Sequence, residues 1–203
     1  MSCQIEQDRI EQTIAFHGHS CPGLAIGIRA AEIALREMEG VGQSDLVCVT
    51  ETDMCGVDAI QFLTGCTYGK GNLIHRDHGK MAFSFYDREN GRGIRLLFNQ
   101  NCRGAMDNEF RELMHRGTQG LLTENEQVRM KHLRADLQSR LMSLPVEEVF
   151  TVEPLENSPP RPARVLQSLI CEDCGEETME SRTRRFVGKT LCIPCYEKVE
   201  QKR

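Results

Sequence analysis

The sequence predicts an α+β body followed by a small, metal-dependent C-terminal module. Three observations carry this. Across residues 1–153, helical apolar spacing is mixed with β-rich runs and one Asn-Gly hairpin signal. Next, Pro154, Pro159, Pro160 and Pro162 break every period. After them come two C-x2-C pairs, seventeen residues apart. The expected division is a body over 1–153, a Pro-rich linker over 154–170 and a module over 171–203.

In the body, "PGLAIGIRAAEIALREMEG" (22–40) reads as a helix. Pro22 suits its first turn and Gly40 its stop, with Leu24, Ile28, Ala31, Leu35 and Met38 on one face. "LVCVTET" (46–52) has strand character, and "CGVDAIQFLTG" (55–65) reads as a short helix closed by Gly65. "MAFSFYDRENGRGIRLLF" (81–98) reads as a hairpin turning at Asn90-Gly91. "MDNEFRELMHRG" (106–117) is a helix. A second helix opens at Thr123 with a capping box to Glu126 and runs to about Leu144. "VEEVFTVEPL" (146–155) reads as a strand.

Composition narrows the function classes. Of the 203 residues, 39% are hydrophobic and 27% charged, as in a globular domain. With no Trp, a base-stacking nucleic-acid platform is disfavoured. A net charge of −5 offers no general attraction to nucleic acid or anionic lipid. No apolar run approaches the roughly 20 residues that span a bilayer, and "MSCQIEQDRIEQ" is unlike a signal peptide. The reading is cytoplasmic, so the ten cysteines are ligands, reactive thiols or buried apolar groups rather than disulfides.

In the tail, Cys171, Cys174, Cys192 and Cys195 have the spacing of a closed four-cysteine zinc site. Between the pairs, a hairpin can turn at Val187-Gly188-Lys189, and "CIPCYEKVEQKR" can start a helix carrying the last two ligands. Knuckle, hairpin and helix together look like a treble-clef finger, folded largely by its structural zinc. Residues 161–203 carry nine Lys/Arg against seven Asp/Glu. Four thiolates on Zn²⁺ offset that excess, so nucleic-acid binding is disfavoured despite Arg182, Arg184 and Arg185.

The body's chemistry concentrates in "FHGHSCPG" (16–23) and "ETDMCGVDAIQFLTGCTYGKGNL" (51–73). Cys21 falls at a helix N-terminus, where free N–H groups and the dipole favour a thiolate. His17 and His19, two apart, would point to one side of an extended segment. Asp53 and Cys55 lie between strand and helix; Cys66 follows Gly65, and Lys70 sits in a glycine-rich loop. Three readings follow. The first is a metal site with His19, Cys21, Cys55 and Cys66 as ligands to a transition metal, and Asp53 and Lys70 orienting a polar ligand at an open position. The second is a thiol enzyme with Cys21 as nucleophile and His17 or His19 as base. The third is a regulator whose finger contacts nucleic acid or a protein partner.

"FHGHSCPG", "TDMCGVDAIQFLTGCTYGKGNL" and "DHGKMAFSFYDRENGRGIR", in that order, resemble the FmdE family, named for the E component of formylmethanofuran dehydrogenase. The resemblance covers about residues 10–150, and some members carry a C-terminal treble-clef finger. It implies an α+β core unlike the common superfolds, paired as a homodimer, with a site built from His17, His19, Cys21, Asp53, Cys55, Cys66 and Lys70. The family name implies a link to the molybdenum or tungsten enzyme that fixes CO2 onto methanofuran. The chain lacks pterin- or iron–sulfur-binding frameworks, so the expected role is an accessory or stand-alone metal protein.

Overall fold

A computed structural model describes residues 3–42, 44–156 and 158–200. It divides into two compact units, one up to Pro162 and one from Ala163 onward. Each mixes helix and strand, and the α+β expectation holds.

The first unit opens with helix α1 (Gln7–His17) and helix α2 (Pro22–Glu37). Strand β1 (Leu46–Thr50), helix α3 (Gly56–Thr64) and the short strand β2 (Leu73–His75) follow. Next come strands β3 (Ala82–Asp87) and β4 (Gly93–Phe98), then helices α4 (Met106–Thr118) and α5 (Glu124–Ser143). A single helical turn, α6 (Val146–Val149), leads into strand β5 (Phe150–Leu155). The five strands form one sheet in the order β2-β1-β3-β4-β5, parallel between β1 and β2 and antiparallel elsewhere.

The core lies between one face of this sheet and α2. Cys48, Phe83, Phe85, Leu96, Phe98 and Phe150 meet Leu24, Ile28, Ala31 and Ala34 there. Helix α2 is buried all round from Leu24 to Ala34, because Ala and Gly keep it thin enough to be wrapped by sheet and helices. Leu35, expected on the buried face, is instead exposed at the helix end. At the centre of α2, Arg29 is fully buried. It pairs with Glu32 at 2.8 Å and donates to the carbonyls of Leu141 and Met142. Those carbonyls lie in the last turn of α5, where no intrahelical N–H is available, so Arg29 ties α5 to α2.

The capping box at Thr123 and Glu126 forms as expected, and the N–H and hydroxyl of Thr123 hold the Glu126 carboxyl down at about 2. Three differences from expectation stand out. Helix α1 and strand β2 are additions to the elements the sequence predicts, and residues 146–149 coil before the strand begins. The linker is also shorter than 154–170. Pro154 and Leu155 complete β5, pairing with Ile94 and Gly93, and the second unit's first strand starts at Ser168.

The second unit pairs β6 (Ser168–Ile170) with β7 (Glu177–Met179), and β8 (Thr183–Phe186) with β9 (Lys189–Cys192). Helix α7 (Ile193–Val199) follows. The β8–β9 turn falls on Val187 and Gly188, both left-handed at φ 46° and 80°. This is the two-residue hairpin geometry the twist of the strands prefers, although Val is a costly residue for it. Among the described residues, no helix is long and apolar enough to cross a membrane.

Candidate metal centre

Two helix starts and one helix end meet at the body's cluster. Gly18 closes α1 in the left-handed conformation (φ 89°), its N–H bonded to the Ile14 carbonyl. The chain therefore doubles back, and the rings of His17 and His19 come together, tilted by 36° with centroids 4.5 Å apart. These residues converge through a helix cap and not through strand alternation, since His17 is the last residue of α1.

Cys21 is the N-cap of α2, and its Sγ accepts the Leu24 N–H at 3.3 Å. Pro22 supplies the first turn, where no backbone donor is needed. Cys55 immediately precedes α3, but its backbone is already helical and its sulfur accepts no cap hydrogen bond. The hydroxyls of Thr50 and Thr52 hold the turn that delivers it from β1, bonding the Thr52 carbonyl and the Met54 N–H.

The two thiols meet because α2 and α3 cross in near contact at glycines. A Cβ on Gly27 would lie 2.2 Å from the Gly56 carbonyl oxygen, and one on Gly23 would lie 3.2 Å from Cβ of Cys55. The result is a group of four donors, from His17, His19, Cys21 and Cys55, all within 4.8 Å of one another. Burial and the adjacent Cys21 push the Cys55 thiol up. Two thiols this close do not both ionise readily without a cation between them.

The second ring atom of His17 supplies a direct test of whether a metal fits. His17 Nδ1 is 2.7 Å from Asp58 Oδ2, in the first turn of α3. His17 Nε2 is buried and has no hydrogen-bond partner. A carboxylate on Nδ1 places the proton there and leaves a lone pair on Nε2, the arrangement of a metal-ligating imidazole. Asp58 is absent from the site the sequence predicts, because an acidic residue in the first turn of a helix is accounted for by the helix dipole alone. Its signal is its place one turn after Cys55, which only the α1–α3 contact makes meaningful.

The remaining expected residues lie elsewhere. Cys66 is at the far end of α3 from Cys55, fully buried, with Sγ 3.5 Å from the Leu46 carbonyl. Nine helical residues separate the two cysteines, about 13 Å of rise, so Cys66 does not join the cluster. Burial pushes its thiol up, and that of neighbouring Cys48 well up. Lys70 Nζ donates to the Gly65 carbonyl and so finishes the C-terminal end of α3. Asp53 is exposed in the turn before Cys55.

In the second unit, Cys171, Cys174, Cys192 and Cys195 form the other four-donor group. Gly175, at φ 76°, turns the first pair so that its N–H meets the Cys171 carbonyl. The Sγ atoms of Cys174 and Cys192 are 3.9 Å apart, and a tetrahedron with metal–sulfur bonds of about 2.3 Å has edges of about 3.8 Å. Backbone N–H groups of Cys192, Cys174 and Asp173 aim at Cys171 and hold its thiol down at about 6. Cys195 is pushed up instead, by Asp173 and the neighbouring thiols.

Fold and clusters define a protein of two parts: an α+β body with a His/Cys group at two helix starts, and a four-cysteine finger. The chain belongs to the FmdE family, whose model, described as "Molybdenum formylmethanofuran dehydrogenase operon", matches residues 16–151. A second family, the prokaryotic DksA/TraR C4-type zinc finger, matches residues 166–201. A curated relative from Archaeoglobus fulgidus, named "Probable S-adenosyl-L-methionine-binding protein", is 32% identical over 191 residues, covering 89% of this chain. The chain spans about half the length of that relative, 50%. The crystal structure of a tungsten formylmethanofuran dehydrogenase FmdE-like protein from Syntrophus aciditrophicus matches with a TM-score of 0.63 at 23% identity. That match covers 95% of this chain and 92% of the other, and at that identity it speaks for the fold.

Proposed function

We propose that this chain is an accessory or stand-alone metal protein of the FmdE family, with one structural Zn²⁺ in the finger and a second first-row transition ion in the body. The observation that carries the body site is the buried, unpartnered Nε2 of His17, held in a four-donor group by Asp58 on Nδ1. Two thiolates and two imidazoles suit zinc or a related borderline ion. When bound, such an ion would supply Lewis acidity and keep both thiols ionised.

This chain's residues would divide the work. His17, Cys21 and Cys55 are partly buried and positioned by helix ends, whereas His19 is exposed. His19 is therefore the ligand that can exchange for an incoming donor, and the open position expected from sequence would arise there. Asp53, exposed two residues before Cys55, is the carboxylate available to orient that donor; Lys70, occupied at the other end of α3, does not serve the site.

The family's name supports a role near molybdenum or tungsten formylmethanofuran dehydrogenase chemistry, and the working unit would be a homodimer. Light scattering should give twice the 23.0 kDa chain mass. The test of the body site is metal analysis of the full chain. Cys55→Ser should lose one of two bound ions while the finger's remains. Two ions retained in Cys55→Ser would refute it.

The thiol-enzyme reading keeps one observation in its favour, the Leu24 N–H on the Cys21 sulfur at a helix start. Alkylation of Cys21 that is fast in the metal-free chain and blocked by Zn²⁺ fits the metal site. Fast alkylation unaffected by metal favours the nucleophile.

A further inference from the structure

A cavity of about 400 Å³ lies beside the body cluster, between α1, α2 and α5. We infer that it is a binding site for an uncharged, elongated, largely aliphatic small molecule whose one polar end rests beside Cys21. Neither the family match nor the sequence motifs point to it.

Its volume falls in the range of small-molecule sites, about 300–1,000 Å³. The walls are apolar: Ile10 and Ile14 of α1, Leu24 and Ile28 of α2, and Met142 of α5. Of the polar side chains in the lining, Gln7 and Ser143 bond along their own helices, to Glu11 and to the Arg140 carbonyl, whereas Gln138 and Ser20 meet across the mouth. There Gln138 Nε2 donates to Ser20 Oγ at 2.5 Å, next to Cys21, with Ser139 adjoining. The other end is set where Arg29 fastens the last turn of α5, one helical turn beyond Gln138 and two beyond Cys21 along α2. The cavity thus runs from a hydrogen-bonding mouth at the α2 N-terminus to an aliphatic floor at Ile28 and Met142.

The charge of the lining decides the ligand class. Among the described residues that line the cavity there is no Lys, Arg, Asp or Glu, and no aromatic ring. A phosphate, carboxylate or sulfonium buried there would lose hydration without a countercharge. S-adenosylmethionine, which carries several charges, does not match this lining. An aliphatic chain with an amide or hydroxyl head does. Cys21 is common to the cavity and the four-donor group, so an occupant's head would lie beside the metal ligands. That coupling rests on the proposed metal site; the cavity itself does not.

The test uses the full chain and the uncharged fluorophore N-phenyl-1-naphthylamine. It should bind at one site per chain, and a sulfonated analogue at least 10-fold more weakly. Ala25→Phe fills the cavity and Ser139→Trp blocks its exposed mouth; each should weaken binding 10-fold or more. Because Ser139 is exposed, its variant keeps the test valid if the core substitution unfolds the body. In cobalt-loaded protein, the fluorophore should shift the visible bands of the body site. Binding that persists in Cys55→Ser without the spectral shift upholds the cavity while separating it from the metal reading. Lack of fluorophore binding to the folded chain would overturn the proposal, as would equal binding of the sulfonated analogue. So would a Ser139→Trp variant that turns a dimer into monomers, because a second copy would then fill the space.

Discussion

Replacing Gly27 by Ala tests the link between helix packing and metal chemistry. At an open helical position this change stabilises a protein by about 1 kcal/mol, since Ala loses less backbone entropy. Here the new Cβ would sit 2.2 Å from the Gly56 carbonyl oxygen and 2.5 Å from its Cα, both backbone atoms that cannot rotate away. Even a tight contact of about 3.2 Å requires α2 and α3 to part by about 1 Å. The expected sign is therefore reversed, with a loss of about 1–3 kcal/mol. For a chain of this size that lowers the melting temperature by roughly 2–4 °C per kcal/mol. The same movement separates Cys21 from Cys55. Metal–ligand distances tolerate only about 0.2 Å, so metal affinity should fall 10-fold or more. Thermal melts and chelator competition measure both effects, with Gly69→Ala as control because a Cβ there meets nothing within 4 Å. A Gly27→Ala chain that melts higher than wild type and binds metal normally would refute the reasoning.

Other outcomes are expected by the same logic. Asp58→Asn should weaken metal binding at the body site about 10–100-fold while leaving the finger's ion in place, as read by chelator competition. Cys174→Ser should release the finger's ion and expose residues 165–200 to protease while the body's melting transition is unchanged. Glu51, held below the usual carboxylate range chiefly by hydrogen bonds from Arg95 and also by His78, contributes stability present above its unfolded pKa and lost as pH falls through the folded one. Arg95→Gln should therefore lower stability at pH 7 and flatten its acid decline below about pH 4 in denaturant titrations. Val187→Asn should raise the finger's stability by about 1 kcal/mol by relaxing a left-handed turn, seen as slower proteolysis.

Much of this architecture is legible in the sequence where a local rule decides it. Pro22 after Cys21 marks a helix start, Thr123 with Glu126 marks another, and the C-x2-C pairs mark the finger. What escapes depends on distant contacts. Helix α1 has a signal in Ile10, Ile14 and Gly18, but a polar, acidic stretch obscures it, and without α1 the two histidines look extended. Cys66 groups with Cys55 in sequence because both flank α3, although a helix of that length holds its ends apart. Asp58 and Arg29 are ordinary charged residues in sequence. Their partners are 41 and 112 residues away, and only the fold brings them there.

The central claim is that the body holds a metal through His17, His19, Cys21 and Cys55 in addition to the finger's four cysteines. X-ray absorption on the zinc-loaded full chain, with metal counted on the same sample, tests it most directly. Two ions per chain should be found, sharing six sulfur ligands at about 2.3 Å and two nitrogens at about 2.0–2.1 Å. A single ion per chain with an all-sulfur shell would contradict it.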